Sequence, residues 1–250
     1  MARGIINLVK KAFDPNSFRK AYARANRKLI NDEYLKWLLF ANAGMIDKGN
    51  IYAFDYAIQR LPSNSPIVEI GSFCGLSTNI LSYLLIKYSK KNKLFSTDEW
   101  IFEGYIKGEN IGQSKISFSK YRDFVKESFI RNTKFFSENN LPYTIQSTSD
   151  KFFDKWNKRI TIKDVFDRET VLGGKISFCY VDGNHEFEFA RRDYINVSKF
   201  LEIGGFILFD DSYDSGKFGS GPKLMKEIKA DKRFEIVMTN PNYLFKKISD

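Results

Sequence analysis

The stretch "PIVEIGSFCGLSTNILSYLLIKYSKK" (residues 66–91) decides how this chain is read. Ile67–Ile70 is a short apolar run that ends at a glycine, the pattern of a strand buried on both faces. Gly71 and Gly75 then frame a turn, and Leu76 onward repeats apolar residues at helical spacing before closing in lysines. Strand, glycine turn and helix in that order predict the first unit of an α/β domain around a mainly parallel sheet.

Working outward, the same alternation recurs. "KLFSTDEW", "YTIQST", "KISFCYVDG" and "FILFDDS" read as further strands, with helices between them. "HEFEFARRDYINVSKFLEIGG" reads as a helix closed by Gly204 and Gly205. "NKRITIKDVFDRETVLGG" reads as an irregular connection. "FEIVMTNPNYLFKKI" has too little chain between its two strands for a crossover helix, so it predicts a C-terminal antiparallel hairpin. The expected sheet therefore has seven strands.

Before Pro66 the texture differs. Four helices are expected: one in "ARGIINLVKKAF", one from the teens to about 30, and one each in "DEYLKWLLFANAGM" and "NIYAFDYAIQRL". "PSNSP" (62–66) is the clearest break. We divide the chain there into a basic helical extension, 1–62, and an α/β domain, 63–250, with residues 101–140 as an aromatic, charged insert. That insert is read as a lid, a packing layer or an oligomer contact.

Of the net charge of +10, residues 1–30 carry +7, with eight Lys/Arg against Asp14 alone. The basicity thus belongs to an arm rather than to a nucleic-acid face of the domain. The first helix has an apolar face, so residues 1–13 are a candidate peripheral membrane contact, against packing on the domain or on a second subunit. No run reaches the roughly 20 apolar residues of a spanning helix, and no secretory signal is evident. Cys74 and Cys179 sit in apolar contexts and read as buried thiols of a reducing, cytoplasmic compartment. A structural zinc site is not expected.

In an open parallel sheet, ligands bind beyond the carboxyl ends of the strands. Here five such ends are polar: Glu69 with Gly71, Gly75, Ser77 and Thr78; Asp98 to Trp100; Ser147 to Asp150; Asp182 with His185, the single histidine; and Asp210 with Asp211. The glycine loop lacks the middle glycine of a dinucleotide fingerprint, and Glu69 would repel a diphosphate. It suits a ligand with a cationic amine and no phosphate, and Asp98 suits two ribose hydroxyls.

These residues resemble a family. From about residue 66 to 250 the chain is similar to class I S-adenosylmethionine-dependent methyltransferases, with a Rossmann-like fold. "IVEIGSFCGLST" resembles the cofactor-binding motif. "YVDGNHEFEFARRDY…LEIGGFILFDDS" resembles the D-G-x-H…D…L-x-x-G-G…D-D pattern of a subgroup that acts on sugars, glycosylated natural products and other small hydroxylated molecules, several with magnesium. "STDEWIFEGY" resembles a segment of glycan-associated members. The resemblance implies cofactor contacts at Glu69, Gly71, Ser72, Gly75, Ser77, Asp98, Trp100, Ser149 and Asp182. Trp100 lies where an adenine or a core would take it. It implies Mg²⁺ on Asp182, Asp210 and Asp211, which requires the strand to be turning already at Asp211 because adjacent strand residues face opposite ways. His185 is then the expected general base, with Asp182 beside it; the alternative is a histidine that merely bonds Asp182 or packs on the cofactor. The expected activity is metal-assisted O-methyl transfer to a sugar, a glycan or another small hydroxylated metabolite. The competing readings are an RNA methyltransferase, a non-catalytic cofactor-binding protein and a related hydroxylase. A homo-oligomer is a further expectation.

Overall fold

The structure is a computed structural model; it describes residues 26–102, 107–214 and 220–250. The two most N-terminal expected helices fall largely outside these residues, and residues 26–32 are not helical. Helix α1 (Glu33–Ala41) starts at Asp32, whose carboxylate accepts from the Leu35 N–H at 3.0 Å. Helix α2 (Lys48–Gln59) starts at Asp47 in the same way, through Gly49 N. Then follow β1 (Ile67–Ile70), α3 (Leu76–Lys87), β2 (Leu94–Asp98), α4 (Phe118–Phe136), β3 (Tyr143–Gln146) and α5 (Ser149–Asn157). The second half comprises β4 (Thr161–Lys163), β5 (Glu169–Val171), β6 (Ile176–Val181), α6 (Phe187–Phe200), β7 (Leu201–Phe209), α7 (Ser220–Ala230), β8 (Phe234–Thr239) and β9 (Tyr243–Lys247).

Seven strands form one sheet in the order β3-β2-β1-β6-β7-β9-β8. β1 runs parallel to β2 and β6, and β6 to β7; β9 returns antiparallel between β7 and β8. All residues of β1 and β6 are buried, because helices cover both faces. One face packs Val68, Cys179 and Ile207 against α5, α6 and α7; the other packs Ile67, Phe178 and Leu208 against α1, α2 and α3. Phe54 and Ala57 of α2, ahead of the Pro62–Pro66 break, are fully buried in that second layer.

Two expectations need correction. The connection read as irregular contains the two-stranded β4–β5 hairpin, with Thr161 opposite Val171. The helix expected to close at Gly204 and Gly205 ends at Phe200, and Leu201 opens β7, pairing with Ile176 of β6. Its end is held from a distance. The buried Lys247 ammonium donates to the carbonyls of Ser198 (3.2 Å) and Leu201 (3.0 Å). Gly204, at φ +87°, instead serves the irregular step within β7.

Candidate active site

The order β2-β1-β6 places a switch point at β1, with β2 on one side and β6 on the other, so the ends of β1, β2, β6 and β7 open on one edge. Glu69, in β1, is completely buried. The Thr78 hydroxyl, from the first turn of α3, donates to its Oε2. Its Oε1 has no hydrogen-bond partner among the described residues, and neither does the buried Ser72 hydroxyl in the adjoining loop. Burial raises the Glu69 carboxyl to about 7, against the opposing influence of the Ser77 and Thr78 hydroxyls. A buried carboxyl with an unmet acceptor oxygen fits a ligand that brings a cationic amine.

The loop between β1 and α3 is built around Asp98, the last residue of β2. Its Oδ2 accepts from the N–H groups of Ser72 (2.8 Å) and Phe73 (2.9 Å), and its Oδ1 from that of Trp100 (2.6 Å). Burial raises this carboxyl, and the three N–H groups offset only part of that rise. Asp98, expected to receive a ribose, therefore also fixes the loop itself. Trp100 is 1% exposed; its Nε1 donates to the Phe73 carbonyl at 3.0 Å, and its ring packs 5.3 Å from Phe129 of α4. Among the described residues it supports the loop from within the core.

Gly71 and Gly75 both hold left-handed backbone, at φ +84° and +86°. At Gly71 a Cβ would lie 2.0 Å from the Asp182 carbonyl oxygen; at Gly75 it would meet Thr133 and Phe129 of α4. The chain's own Asp182 backbone is therefore close enough to demand glycine at 71. Ser77 lies buried in the first turn of α3. Ser149 opens α5 behind the Thr148 cap, and its hydroxyl favours the ionised form of Asp193, which burial nevertheless raises to about 7.

At the other side of the cleft, Asp182 follows β6 and Asp210 and Asp211 follow β7. Asp211 has φ +48°, so the strand has turned by then, as sharing one ligand between the two acids requires. His185 Nε2 lies 4.0 Å from Asp182 Oδ1 and 4.0 Å from Asp211 Oδ2. Its side chain is one-third exposed, open to a ligand. Tyr180 OH donates to Asp182 Oδ2 at 3.0 Å. Burial raises Asp182 well above the usual carboxylate range, and the charge of Asp210 adds to it; Asp210 is raised by burial and by Asp211. This is a crowd of hard oxygen donors that a cation would relieve. Even so, no group of three or more His, Cys, Asp or Glu side chains among the described residues is arranged to hold a metal ion.

Two residues at this site were not read from the sequence. Asn50 of α2 and Asn242, just before β9, each donate an amide N–H to Asp210 Oδ1, the latter at 2.9 Å. Asn242 also donates to Asn50 Oδ1 at 3.0 Å. They hold Asp210 from two distant parts of the chain. No single local motif contains that arrangement, and asparagines in helices and turns carry no distinctive pattern.

Fold and cleft are those of a class I S-adenosylmethionine-dependent methyltransferase. The chain belongs to the family described as "Methyltransferase domain", whose model matches residues 68–212. Similar folds include the S-adenosylhomocysteine-bound Podospora anserina methyltransferase PaMTH1, 13% identical, with a TM-score of 0.57 over 95% of this chain and 97% of that one. A Bacillus cereus O-methyltransferase in complex with S-adenosylhomocysteine is 13% identical, with a TM-score of 0.53 over 92% and 96% of the two chains. CalS11, a TDP-rhamnose 3'-O-methyltransferase of calicheamicin biosynthesis, is 11% identical, with a TM-score of 0.53 over 95% and 96%. Among curated protein sequences, none matches the chain.

Proposed function

We propose that this methyltransferase acts on oxygen, methylating a hydroxyl of a sugar, a glycan or another small hydroxylated metabolite. The observation that carries the reading is His185 Nε2 at 4.0 Å from both Asp182 and Asp211, at the carboxyl edge beside the cofactor cradle. A hydroxyl is a poor nucleophile at neutral pH, so its transfer needs a proton acceptor in place. His185 takes the hydroxyl proton on Nε2, and Asp182 and Asp211 stabilise the charge that appears on the ring. Glu69 and the Ser72 hydroxyl hold the amino-acid end of the cofactor, while the Asp98 loop and Ser149 face its nucleoside. S-adenosylmethionine supplies a methyl on a sulfonium, which leaves with the C–S electron pair returning to sulfur. Asp182, Asp210 and Asp211 would hold a Mg²⁺ ion, whose chemistry is to lower the pKa of a bound hydroxyl. Support for that ion comes from the oxygen donor set and the mutual repulsion of the acids. The buried free thiols Cys74 and Cys179 support a reducing cytoplasmic setting.

The test is incubation with methyl-labelled donor and a panel of nucleotide sugars, glycans, small phenols and catechols, and RNA. Label in a sugar or small hydroxylated product is expected. Label in RNA alone would replace this reading, and cofactor binding with no transfer to any acceptor class would favour a non-catalytic role.

A further inference from the structure

The acids at the carboxyl edge are gripped by neutral groups. Asn50 of α2 and Asn242 before β9 are 1% and 2% exposed, and Tyr180 of β6 is fully buried. Burying such side chains is costly unless each finds its hydrogen-bond partners. Here the partners are one another and the acids. The Asn50 amide donates to Asp210 Oδ1 and, at 3.4 Å, to Tyr180 OH. Tyr180 OH donates onward to Asp182 Oδ2 at 3.0 Å. A continuous chain of hydrogen bonds therefore runs from Asp210 through Asn50 and Tyr180 to Asp182, across the ends of β7 and β6.

Asn242 braces the third acid. Its Nδ2 donates to Asp210 Oδ1 at 2.9 Å, while its Oδ1 accepts from the Ser212 N–H at 3.0 Å. It thus bridges the residues on either side of Asp211, where the backbone has turned to φ +48°. Holding that turn holds the side on which Asp211 faces. The result is a sorting of carboxylate oxygens. Asp210 Oδ1 and Asp182 Oδ2 are taken by the asparagines and the phenol, whereas Asp182 Oδ1 and Asp211 Oδ2 each lie 4.0 Å from His185 Nε2. Amides and a phenol orient carboxylates without cancelling their charge. Buried charges are ordinarily paired or bound to a metal, and orientation without neutralisation is what the groups behind a set of metal ligands provide.

We infer that Asn50 is a positioning residue of this methyltransferase: with Tyr180 and Asn242 it sets Asp182, Asp210 and Asp211 in register for one divalent cation. The inference rests on the Mg²⁺ reading above and adds the residues that make three acids act as one site. It also gives α2, which precedes the Pro62–Pro66 break, a share in the geometry of the reaction.

The protein supplies its own reporter. The chain has a single histidine, so His185 gives one imidazole Cε1–H resonance, beside two of the three acids. Mn²⁺ alone, a paramagnetic stand-in for Mg²⁺, is titrated into the full chain. The wild-type resonance should broaden at low Mn²⁺ and recover in excess Mg²⁺. Asn50→Leu, similar in size but without the amide, should need about 10–100-fold more Mn²⁺ for the same broadening, with S-adenosylhomocysteine affinity unchanged by calorimetry. Tyr180→Phe removes one oxygen from a ring that packs edge-on to Phe54 at 4.7 Å, and it decides the question if the leucine variant does not fold. It should weaken the Mn²⁺ response about tenfold. Broadening in both variants that matches the wild type would overturn the inference and leave the metal standing. A wild-type resonance untouched by Mn²⁺ would overturn the metal reading and the inference with it. Loss of the Mn²⁺ response in step with loss of cofactor affinity would assign these residues to the fold alone, which overturns the inference as well.

Discussion

Glu69 offers the sharpest test of the cofactor cradle. Its carboxyl is buried, has one unpartnered oxygen and is raised to about 7 without ligand. Only the ionised form can hold a cationic amine, so binding must displace its proton when the pH is below that value. At pH 5.5 the carboxyl is about 30:1 neutral, and at pH 7 about 1:1, which makes cofactor affinity about 15-fold weaker at the lower pH, or about 1.6 kcal/mol. The ligand's own amine stays largely protonated over this interval, since such groups titrate near ~7.7–8.0. Calorimetry at pH 5.5 and 7, repeated in buffers of different ionisation enthalpy, reads both the affinity ratio and the proton released. Glu69→Gln should bind more weakly at pH 7 and lose most of the pH dependence. A wild type with equal affinity at both values, or a Gln variant that keeps the full ratio, would refute the reasoning. The sign for stability is opposite to that of an ordinary salt-bridged acid. A folded-state pKa above the unfolded value of 4.5 means the unliganded fold holds the extra proton, so this group's contribution is present at low pH and is lost as pH rises towards about 7. Glu69→Gln should therefore reduce the decline of unliganded stability across that window.

Gly71→Ala should lower the melting temperature by about 4–8 °C, from a cost of about 2 kcal/mol for a side chain at positive φ against the Asp182 carbonyl, measured by calorimetric melting; an unchanged melt would show that the backbone contact can yield freely. His185→Ala should reduce turnover by ~10²-fold or more with cofactor affinity nearly intact, and turnover within about threefold of wild type would move the proton acceptor elsewhere. Chelator treatment should abolish turnover and Mg²⁺ restore it, with Asp210→Asn shifting the metal response more than cofactor binding; full activity in excess chelator would remove the metal from the reaction.

Much of the fold could be read locally. β1 to α3 follows from an apolar run, two glycines and a helical repeat within 26 residues, and the order of strand ends in the sequence is enough to put Glu69, Asp98, Asp182 and Asp210 on one edge. What escaped reading depends on distant partners. The end of α6 is set by Lys247, 46 residues beyond Leu201, so "LEIGG" looked like helix when its leucine belongs to the sheet. The β4–β5 strands are three residues each, too short for alternation to show. Trp100 reads alike as a ligand platform or a core residue; only the packing of Phe129 and the Phe73 carbonyl separate the two. Asn50 and Asn242 escaped because 192 residues separate them and their meaning arises only at Asp210.

The grip of those two asparagines on Asp210 bears on how such an enzyme can be cut, recombined or shuffled. The family-matched stretch, 68–212, contains every acid of the cluster but neither amide that holds Asp210. Transplanted as a cassette between foreign flanks, it would carry the acids and leave behind the clamp that holds one of them. Chimeras that keep α2 and the turn before β9 together with the cassette should inherit a formed site, whereas those that change one flank alone would leave a buried carboxylate with half its donors, at a cost of about 1–3 kcal/mol. Exchangeability in this protein is therefore a property of three segments taken jointly, and the two outer ones have to evolve as a pair.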